Sequence, residues 1–104
     1  MSKRRVVVTG MGIISPVGSA VEGAWKAILA GESGIGPITR FDVSNFPVRF
    51  GGQVKDFEPS RYFNTKELRR MDEFMHYGVA AGIDAVQDSG IDFSKTDVTR
   101  CGAV

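Results

Sequence analysis

Val6, Val7 and Val8 form an uninterrupted apolar, β-branched run inside residues 5–9, closed by Gly10. A short run of this kind bounded by glycine predicts a buried strand. Residues 10–18 carry three glycines and Pro16 and read as a loop. Val21, Ala24, Trp25, Ile28 and Leu29 then recur at helical spacing, which predicts a helix over roughly residues 20–30. Ser19 and Glu22 have the spacing of a capping box for it, and Gly31 suits the left-handed position that closes a helix.

Residues 34–47 show no period and read mostly as loop, with no strand in the segment from Gly34 to Arg40. A weak strand is expected within residues 50–57, and Pro59 opens what reads as a single helical turn. The strongest periodicity lies over residues 65–89. There Leu68, Met71, Phe74, Met75, Val79, Ile83 and Val86 predict one long helix. Asn64 and Glu67 form its capping box and Gly90 its stop. Cys101-Gly102-Ala103-Val104 begins a further apolar run, expected to be a strand cut short.

The second half of the long helix is apolar nearly all round. From Phe74 to Val86 the polar groups are His76, Asp84 and the Tyr77 hydroxyl, while Gly78, Ala80, Ala81 and Gly82 offer a smooth surface. A helix of that character belongs in the middle of a layered core. Two strands and one short helix cannot surround it. The expectation is therefore that residues 1–104 are the N-terminal part of a larger α/β domain.

Composition adds little. The chain is 42% apolar and 24% charged with a net charge of +1, which gives no whole-chain argument for a nucleic-acid or membrane partner. One cysteine, Cys101, fits a reducing compartment. The basic start is followed by an apolar run too short for a signal peptide, so a cytoplasmic location is expected.

Four features bear on chemistry. Gly10-Met11-Gly12-Ile13-Ile14-Ser15 imitates the opening of a dinucleotide fingerprint. The helix starts too late, and no second strand follows, so nucleotide binding is disfavoured and no cofactor is expected. Cys101 has no local base, and His76 sits between Met75 and Tyr77, so both read as structural. No spacing suits a metal. Lys66, Arg69 and Arg70 cluster where the long helix begins, at the positive end of its dipole, where cations are unfavourable. An Arg69–Glu73 pair at i,i+4 would offset part of this. Such a cluster is either a solvated, salt-bridged face or a docking patch for an acidic partner.

Taken in order, five stretches resemble the β-ketoacyl-acyl-carrier-protein synthases of the elongating type II class. They are residues 4–18, residues 25–35, Gly52-Gln53-Val54-Lys55-Asp56-Phe57, Arg69-Arg70-Met71-Asp72-Glu73-Phe74 and Ala85-Val86-Gln87-Asp88-Ser89-Gly90. The resemblance covers this whole chain and about the first quarter of the family's length. It implies a thiolase-type fold, two similar halves layered αβαβα, and a homodimer. It implies an acyltransferase of fatty-acid biosynthesis that condenses an acyl thioester with malonyl-acyl carrier protein. The family's catalytic cysteine and two histidines match no position here, so this chain alone is expected to be inactive. Lys66, Arg69 and Arg70 match the stretch that docks acyl carrier protein, which tips the reading from solvated face to docking patch. The alternatives are a non-catalytic partner of the chain-length-factor type and, further off, a dinucleotide-dependent oxidoreductase fragment.

Overall fold

A computed structural model describes residues 2–104. Its regular elements run in the order α1 (Val21–Leu29), β1 (Ile35–Pro37), β2 (Phe50–Gly52), a 3-10 turn (Pro59–Arg61), α2 (Thr65–Leu68), α3 (Glu73–Ser89) and a second 3-10 turn (Val98–Arg100).

The sequence places α1 within a residue or two, but its start differs. Ala20 is the N-cap and makes no side-chain cap bond. Ser19 stands one residue too early, and its hydroxyl is buried without a hydrogen-bond partner. The expected Ser19–Glu22 box is therefore absent, and Glu22 pairs with Lys26 one turn on at 3.0 Å. The helix ends as expected. Gly31, at φ 71, donates to the Ile28 carbonyl, and Glu32 donates to the Ala27 carbonyl, closing α1 with a Schellman motif. Ala24 and Ala27 are buried, whereas Trp25, Ile28 and Leu29 stay more than half exposed.

Two expectations about strands are corrected. Residues 5–9 form no ladder among the described residues, and Val6 is 91% exposed. A buried strand needs hydrogen-bonding neighbours and covered faces, and nothing described here supplies them. Conversely, Ile35–Pro37, read as loop, pairs antiparallel with Phe50–Gly52 in the register Ile35↔Gly52, Gly36↔Gly51, Pro37↔Phe50. The predicted strand over residues 50–57 is thereby reduced to three residues. Beyond the ladder the Gln53 side chain replaces a strand. Its Oε1 accepts from the N–H groups of Thr39 and Arg40 at 3.1 and 3.2 Å, and its Nε2 donates to the Pro37 carbonyl.

The expected long helix is two helices. The Asn64–Glu67 capping box is present in both directions at 2.9 Å, but α2 ends at Leu68. Asp72, with extended backbone (ψ 162), starts α3, and its carbonyl accepts from Met75 and His76. Aspartate is poor inside a helix and good at its start, and Glu73 in the first turn favours the positive end. The apolar period runs straight through Met71, which hides the break from a sequence reading. Gly90, at φ 65, closes α3 as expected. Cys101 has extended backbone (φ −99, ψ 141) with no ladder partner among the described residues.

The N-terminal loop lies directly on α3. A Cβ at Gly12 would fall 2.0 Å from the Ala81 carbonyl oxygen, and one at Gly10 would fall 2.3 Å from that of Ala85. Met11 N–H donates to Asp88 Oδ2 at 3.0 Å across the same contact. On another side, Tyr62 donates to Asp84 Oδ2 at 2.8 Å and stacks on Phe57, which meets Tyr77 edge-on.

Little closes over these contacts. The buried apolar residues are Ala24, Ala27, Phe63 and Ala80, while Phe74 is 68% exposed and Met75, Val79 and Val86 are more than two-fifths exposed. The radius of gyration is 17.5 Å, against about 13 Å for a compact domain of this length. The apolar face of α3 thus lies largely open.

Tyr62 gives a stability test. Tyr62→Phe is expected to cost the full chain about 1–2 kcal/mol, since it leaves Asp84 without its donor. Burial first, and the bond to Asp84 second, raise the Tyr62 pKa above 10.0. The folded state thus holds this proton more tightly than the unfolded one. The contribution is complete below pH 10 and is lost as pH rises through the raised value. Denaturant melts of wild type and variant at neutral pH and above pH 10 check both statements.

Candidate functional site

Lys66, Arg69 and Arg70 are all exposed. Lys66 lies in the last turn of α2, Arg69 is its C-cap, and Arg70 follows in the connection to α3. The break at Asp72 therefore changes the electrostatic expectation. Arg69 caps the C-terminus of α2, where cations are favourable, and Lys66 lies in a helix of a single turn, so neither sits at the start of a long helix. The expected Arg69–Glu73 pair is also absent. Among the described residues the three cations take part in no ion pair.

Glu73 has another partner, Arg40, from the loop after β1. Arg40 bonds the Glu73 carboxylate through Nη1, and through Nη2 the Tyr77 hydroxyl at 2.9 Å and the Val54 carbonyl at 3.0 Å. One guanidinium thus joins α3 to the segment after β2. Its pKa lies above the usual guanidinium range, raised first by Tyr77 and then by Glu73. Sequence reasoning missed this cluster. Its partners lie 14 to 37 residues from Arg40, so no local spacing reports it. The one usable signal was Tyr77, a phenol on an apolar helix that needs a hydrogen-bond partner.

The remaining candidates stay apart. Cys101 is exposed, and its thiol meets the Asp97 carbonyl at 3.6 Å. The His76 ring packs on Phe63 with centroids 5.5 Å apart, and its Nε2 is buried without a partner. Among the described residues no group of three or more His, Cys, Asp or Glu could hold a metal. No helix there is long and apolar enough to cross a membrane.

A cleft of about 1210 Å³ opens between the N-terminal loop, α1 and α3, with Met11, Trp25, Ile28, Tyr62, Asp84 and Asp88 on its walls. The glycines of the fingerprint-like loop border it, but they serve packing on α3. The Met11 N–H, which a phosphate cradle would aim at its ligand, is taken by the Asp88 carboxylate. A carboxylate at that point repels a pyrophosphate.

The chain matches the model of the β-ketoacyl synthase N-terminal domain over residues 3–104. It is 55% identical over 102 residues to the 3-oxoacyl-[acyl-carrier-protein] synthase 2 of Vibrio harveyi, a match covering 98% of this chain and 25% of that protein. It is 41% identical over 104 residues to the protein of the same name from Synechocystis sp., covering 100% of this chain and 25% of the relative. Among solved structures, the ishigamide ketosynthase/chain length factor is similar with a TM-score of 0.79 and 42% identity, over 89% of this chain and 23% of that one. The chain spans about a quarter of the length of the curated relatives it matches.

Proposed function

Because the chain belongs to the β-ketoacyl synthase family, we propose that it is the opening segment of a 3-oxoacyl-acyl-carrier-protein synthase of fatty-acid biosynthesis. The observation that carries this reading is the 55% identity to a synthase of that name along almost the whole segment. The thiolase-type α/β fold expected from the sequence is the fold of this family. In the proposed reaction a cysteine thiolate takes the acyl group from acyl carrier protein and releases the carrier's thiol. Malonyl-acyl carrier protein then loses carbon dioxide, and the resulting carbanion attacks the acyl thioester, freeing the thiolate. A thiolate suits both halves, as a strong nucleophile and a competent leaving group. The segment itself supplies none of these groups and is proposed to be inactive alone. A homodimer and a cytoplasmic setting go with the same reading.

Its own part is proposed to be carrier docking through Lys66, Arg69 and Arg70, which are exposed and, among the described residues, in no ion pair. Exposed cations steer an acidic partner over a Debye length of about 8 Å at physiological ionic strength. The double variant Arg69→Glu/Arg70→Glu in the full chain is expected to raise the apparent KM for a carrier-bound thioester by about tenfold and to flatten its salt dependence. Turnover of a small thioester such as acyl-pantetheine should hardly change. A ratio near one between the two kcat/KM changes would reject docking. The solved ketosynthase/chain length factor keeps a non-catalytic partner as the second reading. The full chain of such a partner would give no condensation with either substrate.

A further inference from the structure

Resting on the docking reading, we infer that Arg40 is a positioning residue for the cation patch: by pairing with the Glu73 carboxylate, it offsets one of the three negative charges that share residues 66–73 with the cations. Residues 66–73 hold Lys66, Arg69 and Arg70 against Glu67, Asp72 and Glu73, so their formal charges cancel. A patch with no net charge cannot attract an acidic partner at long range. Arg40 arrives from a different part of the chain and pairs with one of the three carboxylates, which leaves the segment with an excess of one positive charge.

The remaining geometry supports a fixed device. Arg40 is tied to Tyr77 and to the Val54 carbonyl as well as to Glu73, so its charge is held in place from three sides. Glu67 is likewise occupied, its carboxylate accepting from the Asn64 N–H in the capping box. Glu73 opens α3 a few positions after the cations in sequence, on a side chain 65% exposed. Unpaired, its charge would subtract from the positive field of the segment. An exposed pair adds little to stability, so the consequence of Arg40 is to be sought in the field around the patch.

The test uses the full chain and four variants, Arg40→Ala, Arg40→Lys, Arg40→Ala/Glu73→Gln and Arg69→Glu/Arg70→Glu. Each is assayed with a carrier-bound thioester and with acyl-pantetheine across a range of salt. Arg40→Ala is expected to raise the KM for the carrier-bound substrate by about two- to five-fold at low salt, with kcat and the small thioester unchanged. Arg40→Lys keeps the charge and should stay near wild type. Removing the Glu73 charge in the Arg40→Ala background should restore the KM. If the double variant is as impaired as Arg40→Ala, or if both substrates suffer equally, Arg40 acts by holding the fold together and the inference is overturned. If Arg69→Glu/Arg70→Glu raises the KM while Arg40→Ala does not, this inference alone fails. If neither changes it, the docking reading fails as well.

Discussion

Replacing Gly12 with alanine is expected to destabilise the full chain by about 3 kcal/mol or more, at the upper end of what overpacking costs. The added methyl would lie 2.0 Å from the Ala81 carbonyl oxygen and 2.9 Å from the Ala85 nitrogen. Both are backbone atoms of a helix, so no side chain can rotate away. The loop would have to lift from α3, which would also stretch the Met11–Asp88 hydrogen bond. Truncating Ala81 or Ala85 to glycine should give no rescue, since neither methyl is the obstacle. Gly23→Ala in α1 makes the contrast, because nothing lies within 4 Å of its missing Cβ. It should be neutral or gain up to about 1 kcal/mol from helix propensity. Chemical denaturation of the three proteins checks the ordering, and a Gly12→Ala variant as stable as wild type would show that the loop does not rest on α3.

Residues 1–104 expressed alone are expected to lack a cooperative unfolding transition. Burying a large apolar side chain contributes about 1.5–3 kcal/mol, and among the described residues Phe63, 9% exposed, is the one large residue in a buried apolar set otherwise made of alanines. A folded domain needs a margin of about 5–15 kcal/mol after chain entropy is met. Trp25, Phe50, Phe74 and Val79 meanwhile remain 45–68% exposed, which favours association between copies. Calorimetry should show a broad or absent transition, and a dye for apolar surface should bind strongly. Dispersed amide resonances from a monomer, with a sharp melt, would show that this open layer is self-sufficient.

The sequence makes some of these features legible and conceals others. Both helix stops, Gly31 and Gly90, are readable because left-handed backbone is costly for residues with a Cβ. The Asn64–Glu67 box is readable because both of its bonds are local. The same rule misleads at Ser19, where the spacing is right but α1 begins one residue later. The strand at Ile35–Pro37 was concealed because glycine and proline punctuate it and its partner lies 13 to 17 residues away. Residues 5–9 carry a strong strand pattern and form none here, because a pattern states a preference and a ladder requires neighbours. Of the candidate site, Lys66, Arg69 and Arg70 were visible as a charge cluster. Their electrostatic setting was not, since it depends on the break at Asp72 and on Arg40, and neither leaves a periodic trace.

That break has a consequence for how this surface can vary over evolutionary time. A cation set carried on the face of α3 would share its backbone with Ala81 and Ala85, against which the N-terminal loop is fitted with no free space. Any insertion or shift that retuned the charges would then rotate the packed face. Lys66 and Arg69 belong instead to a four-residue helix with its own capping box, and Asp72 restarts the chain after it. Its side chains can change, or the unit lengthen, while the register of α3 against the loop stays as it is.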